Sequence, residues 1–171
     1  VTNVSVSTDM MRTWRSPRVV IRKYLAMGQR EDRAIAYLMA ACFIIFIAQW
    51  PRLSRRAAGF ELPEGAEVPE LSRLMAYEFL SWLMIWPLVM YALAAIVHIV
   101  AKLFGGSGSW YSARLAVFWT LLATTPALLL YGLLAGFNGP GSGTDLVGFI
   151  WVVAFFVIGF ICVREAEKEP V

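Results

Sequence analysis

Four uninterrupted apolar stretches constrain this chain more than any other feature. Residues 34–50 carry no charge and are followed by Pro51. Residues 74–104 hold Glu78, His98 and Lys102 near their ends, with Pro87 inside. Residues 115–137 contain Pro126, and residues 146–163 follow Thr144-Asp145, a pair suited to start a helix. The hydrocarbon core of a bilayer is about 30 Å thick and is crossed by roughly 17–25 mostly apolar helical residues. A chain of 171 residues cannot bury four such stretches in a water-soluble core. Only 16% of its residues are charged and 59% are hydrophobic, whereas soluble domains carry about a quarter charged residues. A disordered chain, a disulfide scaffold and a soluble enzyme are excluded. Lipid offers no partner to a free backbone amide, so each stretch must be a helix. The expected fold is all-α, a polytopic transmembrane bundle of about four spans. A basic segment, 1–33, precedes the transmembrane domain, 34–163, and a charged tail, 164–171, follows it.

Loop charge sets the orientation. Eleven of the 15 Lys and Arg residues fall on one side, in the amino-terminal segment, the second connection and the tail. Arg52, Arg55, Arg56 and Arg73 fall on the other, beside Glu61, Glu64, Glu67 and Glu70. Both termini are therefore expected in the cytoplasm. The first span would serve as an uncleaved signal anchor, since a long charged segment precedes it, and Asn3-Val4-Ser5 should stay unglycosylated. The glutamates repeat every third residue, but Pro63 and Pro69 interrupt them and no calcium-loop pattern accompanies them. They read as a solvated loop.

Ser16-Pro17 pairs a hydroxyl N-cap with proline at the first helical position. From there Val20, Ile21, Tyr24, Leu25, Met27 and Gly28 share one helical arc, while Arg18, Arg22 and Lys23 share the other. An amphipathic helix with a basic face is expected in the cytoplasmic headgroup layer. Arg18, Arg22 and Lys23 are its lipid-binding candidates. Trp110, Tyr111 and Arg114 are the corresponding candidates after the turn Gly105-Gly106-Ser107-Gly108-Ser109, which lacks the lysine of a phosphate loop and follows no strand. Gly132 and Gly136 form a GxxxG pair suited to close helix packing, within the chain or between copies. Pro87 and Pro126 should kink their helices, with Thr124 and Thr125 satisfying carbonyls freed by the second.

Glu78 and His98 are the in-membrane ionisable candidates. Twenty residues of one helix span about 30 Å, so the two cannot meet within one copy. Catalytic and metal-binding sets are missing from the sequence: it has no HExxH, CxxC or P-loop, one His and two Cys. Cys42 and Cys162 are not expected to form a disulfide, and no cofactor, metal or nucleic-acid partner is expected.

The strings Ser16-Pro17-Arg18, 26–34 (AMGQREDRA), 46–52 (FIAQWPR) and 105–119 (GGSGSWYSARLAVFW) together resemble the bacterial branch of the Yip (Ypt/Rab-interacting protein) membrane family, in particular its small proteobacterial members. The resemblance runs from about Trp14 to Glu165. It implies a polytopic helical bundle with a cytoplasmic amino-terminal segment, in a family whose eukaryotic members are associated with small GTPases and trafficking. The family is usually described with five spans, against four plus an interfacial helix here. A bacterium has no Rab partner, and no catalytic residue is carried over. The expectation is a non-catalytic protein of the bacterial inner membrane. It would bind or organise lipids and other integral membrane proteins, as an accessory subunit or assembly factor of a respiratory or photosynthetic complex. The alternative is a small homo-oligomeric transporter or channel using Glu78 or His98.

Overall fold

A computed structural model describes residues 5–60, 62, 65 and 67–168. Glu61, Glu64, Pro63 and the sequon at Asn3 lie outside the described residues. The helices are α1 (Val6–Thr13), α2 (Pro17–Leu25), α3 (Glu31–Ala57), α4 (Leu71–Leu80), α5 (Trp86–Leu103), α6 (Trp110–Phe137) and α7 (Ser142–Ala166), with a π-helical turn, Ser81–Ile85, joining α4 to α5. Among the described residues four helices are long and apolar enough to cross a membrane: α3, the continuous run Leu71–Leu103, α6 and α7. The protein is an all-α polytopic bundle.

α6 is its centre, buried around much of its circumference. α3 runs parallel to it, with Glu31 against Arg114 at one end and Arg55 Nη1 donating to Phe137 O (3.3 Å) at the other. α7 runs antiparallel on another side, where Gly148 meets Tyr131 and Gly159 meets Thr120. α5 leans on α6 through Tyr91 and Phe118, ring centroids 4.9 Å apart. The end of α2, the 105–109 loop and the end of α7 gather at one end, here called the terminal end, and from there the α1–α2 hairpin lies along α6 as far as Ala123.

Several boundaries differ from the sequence expectation for physical reasons. α3 does not stop at Pro51 but continues to Ala57. Proline removes one backbone hydrogen bond, yet the helix is held beyond it, because Pro51 lies directly under Gly136 of α6. Arg55 and Arg56 thereby sit in the last turn of α3, where the helix dipole favours cations. α7 begins at Ser142, ahead of Thr144-Asp145. Gly141 is at the N-cap, and Thr144 Oγ1 donates to Gly139 O (2.9 Å). Pro126 leaves Leu122 O without its amide donor, and Thr125 Oγ1 takes that carbonyl at 2.8 Å. Before Pro87 the helix adopts the π turn, Trp86 N–H reaching back to Ser81 O.

Candidate functional site

The candidate site is the polar layer at the terminal end, where most of the polar residues singled out in the sequence converge. Its first part is the α1–α2 hairpin. Pro17 opens α2 with Ser16 at the N-cap, although the Ser16 hydroxyl makes no capping bond. Val20, Ile21, Tyr24 and Leu25 are buried as one face, while Met27 and Gly28 are exposed. That face is covered by the chain itself, on α6 and α7, and not by a headgroup layer. The reason lies in what accompanies it. α1 presents Asp9 and Thr13, both buried, and lipid could satisfy neither.

Asp9 Oδ2 accepts from Lys23 Nζ (2.6 Å) and from the Tyr24 hydroxyl (2.9 Å). Burial, together with neighbouring Tyr37 and the bond to Asp9, pushes the Tyr24 hydroxyl above the usual phenol range, so it stays a donor. Thr13 Oγ1 donates to Asp9 O (2.7 Å) and accepts from Trp119 Nε1 (3.0 Å). Trp14 Nε1 reaches Ala123 O (2.9 Å), which lies roughly 20 Å along α6 from its first residue. Tyr24, Tyr37 and Trp119 form a ring cluster with centroids 4.5–5.4 Å apart.

The second part ties the helix ends together. Arg22 pairs with buried Glu165 of α7. Arg33 Nη2 donates to Tyr24 O (3.0 Å), Gly28 O (2.9 Å) and the Tyr111 hydroxyl (3.0 Å). Tyr111 is 2% exposed, so it is an interior residue and not the interfacial anchor the sequence suggests. Arg114 pairs with Glu31, Arg18 is exposed, and Trp110 is half exposed. Of the six surface candidates, then, Arg22, Lys23, Tyr111 and Arg114 bond within the chain.

The third part was hidden from sequence reasoning. His98 is 2% exposed, and its Nδ1 lies 2.7 Å from Glu167 Oε1. Paired with an ionised carboxylate, which only accepts, this nitrogen is the donor. The His98 ring also rests on Trp110, centroids 4.5 Å apart. The other Glu167 oxygen accepts from Gly108 N (3.1 Å), while Glu167 O accepts from Ser107 N (2.8 Å) and Ser107 Oγ (3.1 Å). A Cβ on Gly108 would stand 2.6 Å from Ala166 O, and one on Gly106 2.8 Å from Glu167 Oε2. The glycine-rich connection is thus a clasp on the end of α7 and not a free turn. Ser109 and Ser112 close it with a reciprocal capping box at the start of α6.

The remaining candidates lie elsewhere. Glu78 Oε2 accepts from Trp82 Nε1 (3.1 Å), and Trp82 stacks on Trp86. Glu78 and His98 are therefore at different sites, and neither lines the larger cavity. Gly132 lies under Ala48 and Gly136 under Pro51, which makes the GxxxG pair the internal seam between α6 and α3. Cys42 and Cys162 are buried free thiols. Among the described residues no three His, Cys, Asp or Glu side chains gather as metal ligands.

Comparison with curated proteins and with solved structures gives no match. The model of the Yip1 domain matches residues 11–170, which takes in the end of α1, α2, all four long helices and the Glu167 clasp, and the chain belongs to the Yip1 domain family of membrane proteins.

Proposed function

We propose that this is a non-catalytic protein of a bacterial inner membrane, with both termini in the cytoplasm. It binds other integral membrane proteins as an accessory subunit or assembly factor of a larger complex, such as a respiratory or photosynthetic one. One observation carries the reading: all ten buried polar or charged residues among the described ones bond within the chain, and the buried side-chain atoms that lack a partner are Asp9 Oδ1, Arg33 Nε, Arg114 Nε and Trp151 Nε1. Asp9, Thr13, His98, Glu165 and Glu167 join separate segments, and Ser112, Thr120, Thr124, Thr125 and Thr144 bond to nearby backbone. Chemistry committed to holding the fold is not free to act on a substrate, and family members are generally not enzymes.

What the chain offers outward is apolar surface on two flanks of α6. On α3 the exposed stripe is Ile35, Met39, Phe43 and Ile47, and on α7 it is Leu146, Phe149, Val153 and Val157. Both recur at helical spacing, as a partner helix requires. The division into a basic amino-terminal segment, a transmembrane domain and a charged tail belongs to the same proposal.

The test is extraction of the tagged protein in a mild detergent, followed by native electrophoresis and mass spectrometry of every co-migrating chain. Migration with a larger membrane complex at fixed stoichiometry is expected, with loss of that association when Phe43 or Phe149 is replaced by Ala. Migration of wild type only as a lone small species overturns the proposal.

A further inference from the structure

α5 and α7 both lie on α6 but have little packing on each other. They meet at the terminal end, where the Glu167 clasp bridges them. Above that bridge they leave a groove occupied by no side chain. A cavity of about 810 Å³ opens at the terminal end and shares Val97, Phe160 and Val163 with a second of about 220 Å³ deeper in the bundle. The two lie side by side along that shared wall. The inner part of the groove is lined by Leu93, Val117, Phe155 and Phe156 and its outer part by Val100 and Phe104.

From Phe155 to Ala166, the last residue of α7, the groove follows 12 residues, roughly 17 Å at 1.5 Å per residue, and Lys168 lies just beyond. Half the hydrocarbon core is about 15 Å, so the groove has the length of one leaflet and its headgroup layer. Its walls change character along that length. The inner part is apolar except for Thr120, whose hydroxyl is bonded to Ala116 O. The mouth carries Arg164, Glu167 and Lys168. Both Glu167 carboxylate oxygens are taken by His98 and Gly108, and the amides of Gly105, Gly106 and Ser107 are already donated to protein carbonyls. Arg164 is exposed and makes no ion pair among the described residues. Lys168 has only a distant contact, 3.7 Å, with a Glu165 that Arg22 already engages. The unspent charge at the mouth is positive.

We infer that the α5–α7 groove is a binding site for one anionic phospholipid, an acyl chain lying between Leu93 and Val100 of α5 and Phe156 and Val163 of α7, and the phosphate held by Arg164 and Lys168. This site is separate from the basic face of α2 and does not depend on the protein-partner reading above. The cation pair discriminates by charge, and the groove selects a lipid tail over a soluble phosphate ester.

The test compares the purified full chain with the double variant Arg164→Gln/Lys168→Gln. Native mass spectrometry after extraction from membranes should show about one phosphatidylglycerol-class lipid retained per wild-type chain. Adding phosphatidylglycerol to delipidated protein should raise its thermal midpoint more than phosphatidylcholine does, and the double variant should lose that difference. Val97→Trp, which fills the groove and leaves the cations in place, should lose retention as well. Arg52→Gln/Arg56→Gln, at the other end of the bundle, should behave as wild type. Equal stabilisation by the two lipids, or equal retention by wild type and the double variant, overturns the proposal. Stabilisation by inorganic phosphate alone, without lipid, also overturns it.

Discussion

At the scale of single residues, the fold depends on positions where nothing larger fits. A side chain at Gly132 would run into the Ala48 carbonyl, and one at Gly136 into Pro51. Gly132→Leu must push α6 away from α3 and should cost about 3 kcal/mol, seen as a lower midpoint when monodispersity in detergent is followed on heating. Gly143→Ala is the matched control. It meets nothing within 4 Å in the first turn of α7 and should be neutral or slightly stabilising. Glu167→Ala strands a buried His98 and frees Gly108 and should cost roughly 1–3 kcal/mol; limited proteolysis of the 105–109 loop would report it directly. The glycine pair was legible in the sequence because its spacing alone suggests close packing. Glu167 was not, because its partners His98 and Gly108 lie 69 and 59 residues away, and no local pattern encodes such a pairing.

Among elements, the four spans were readable because bilayer thickness imposes one length on all of them. Their ends were less so. Local rules stop a helix at Pro51, whereas the docking of α3 on Gly136 carries it six residues further. α1 escaped notice altogether. Its sequence, VSTDMMRT, is only eight residues long and opens on the poor helix formers Val, Ser, Thr and Asp, and its order comes from Asp9 and Thr13 meeting α2 and α6. The amphipathic arc of α2 was visible, but its covering surface was not, since lipid and protein ask for the same apolar pattern. Ile21, 0% exposed, distinguishes them. Ile21→Asp should detach the α1–α2 hairpin and open residues 14–30 to protease while the four long helices remain in the membrane. A helix resting on lipid headgroups would show no such change in detergent. Thr13→Val removes the acceptor of Trp119 Nε1 and should cost about 1–2 kcal/mol, with a shift in tryptophan emission.

For the molecule as a whole, the orientation can be tested without disturbing the core. Both native cysteines are buried, so a single exposed cysteine carries the signal. With the terminal end in the cytoplasm, Gly143→Cys should react with an impermeant maleimide in intact spheroplasts, and Ser5→Cys only after lysis; the reverse pattern would invert the bundle. The arginine cluster at 52–56 made the charge count less one-sided, and the structure explains its presence by the end of α3. The closure of the terminal end also bears on how the molecule is made. Arg22 and Glu165 are 143 residues apart, and at about 5–20 residues per second a ribosome needs roughly 7–30 seconds to travel between them. Throughout that interval Val20, Ile21, Tyr24 and Leu25 exist without α7 to lie against. The nearest apolar surface available to a nascent chain at the insertion site is the bilayer itself. The basic amphipathic face of α2 is thus suited to two successive hosts, the membrane surface during synthesis and the finished bundle afterwards.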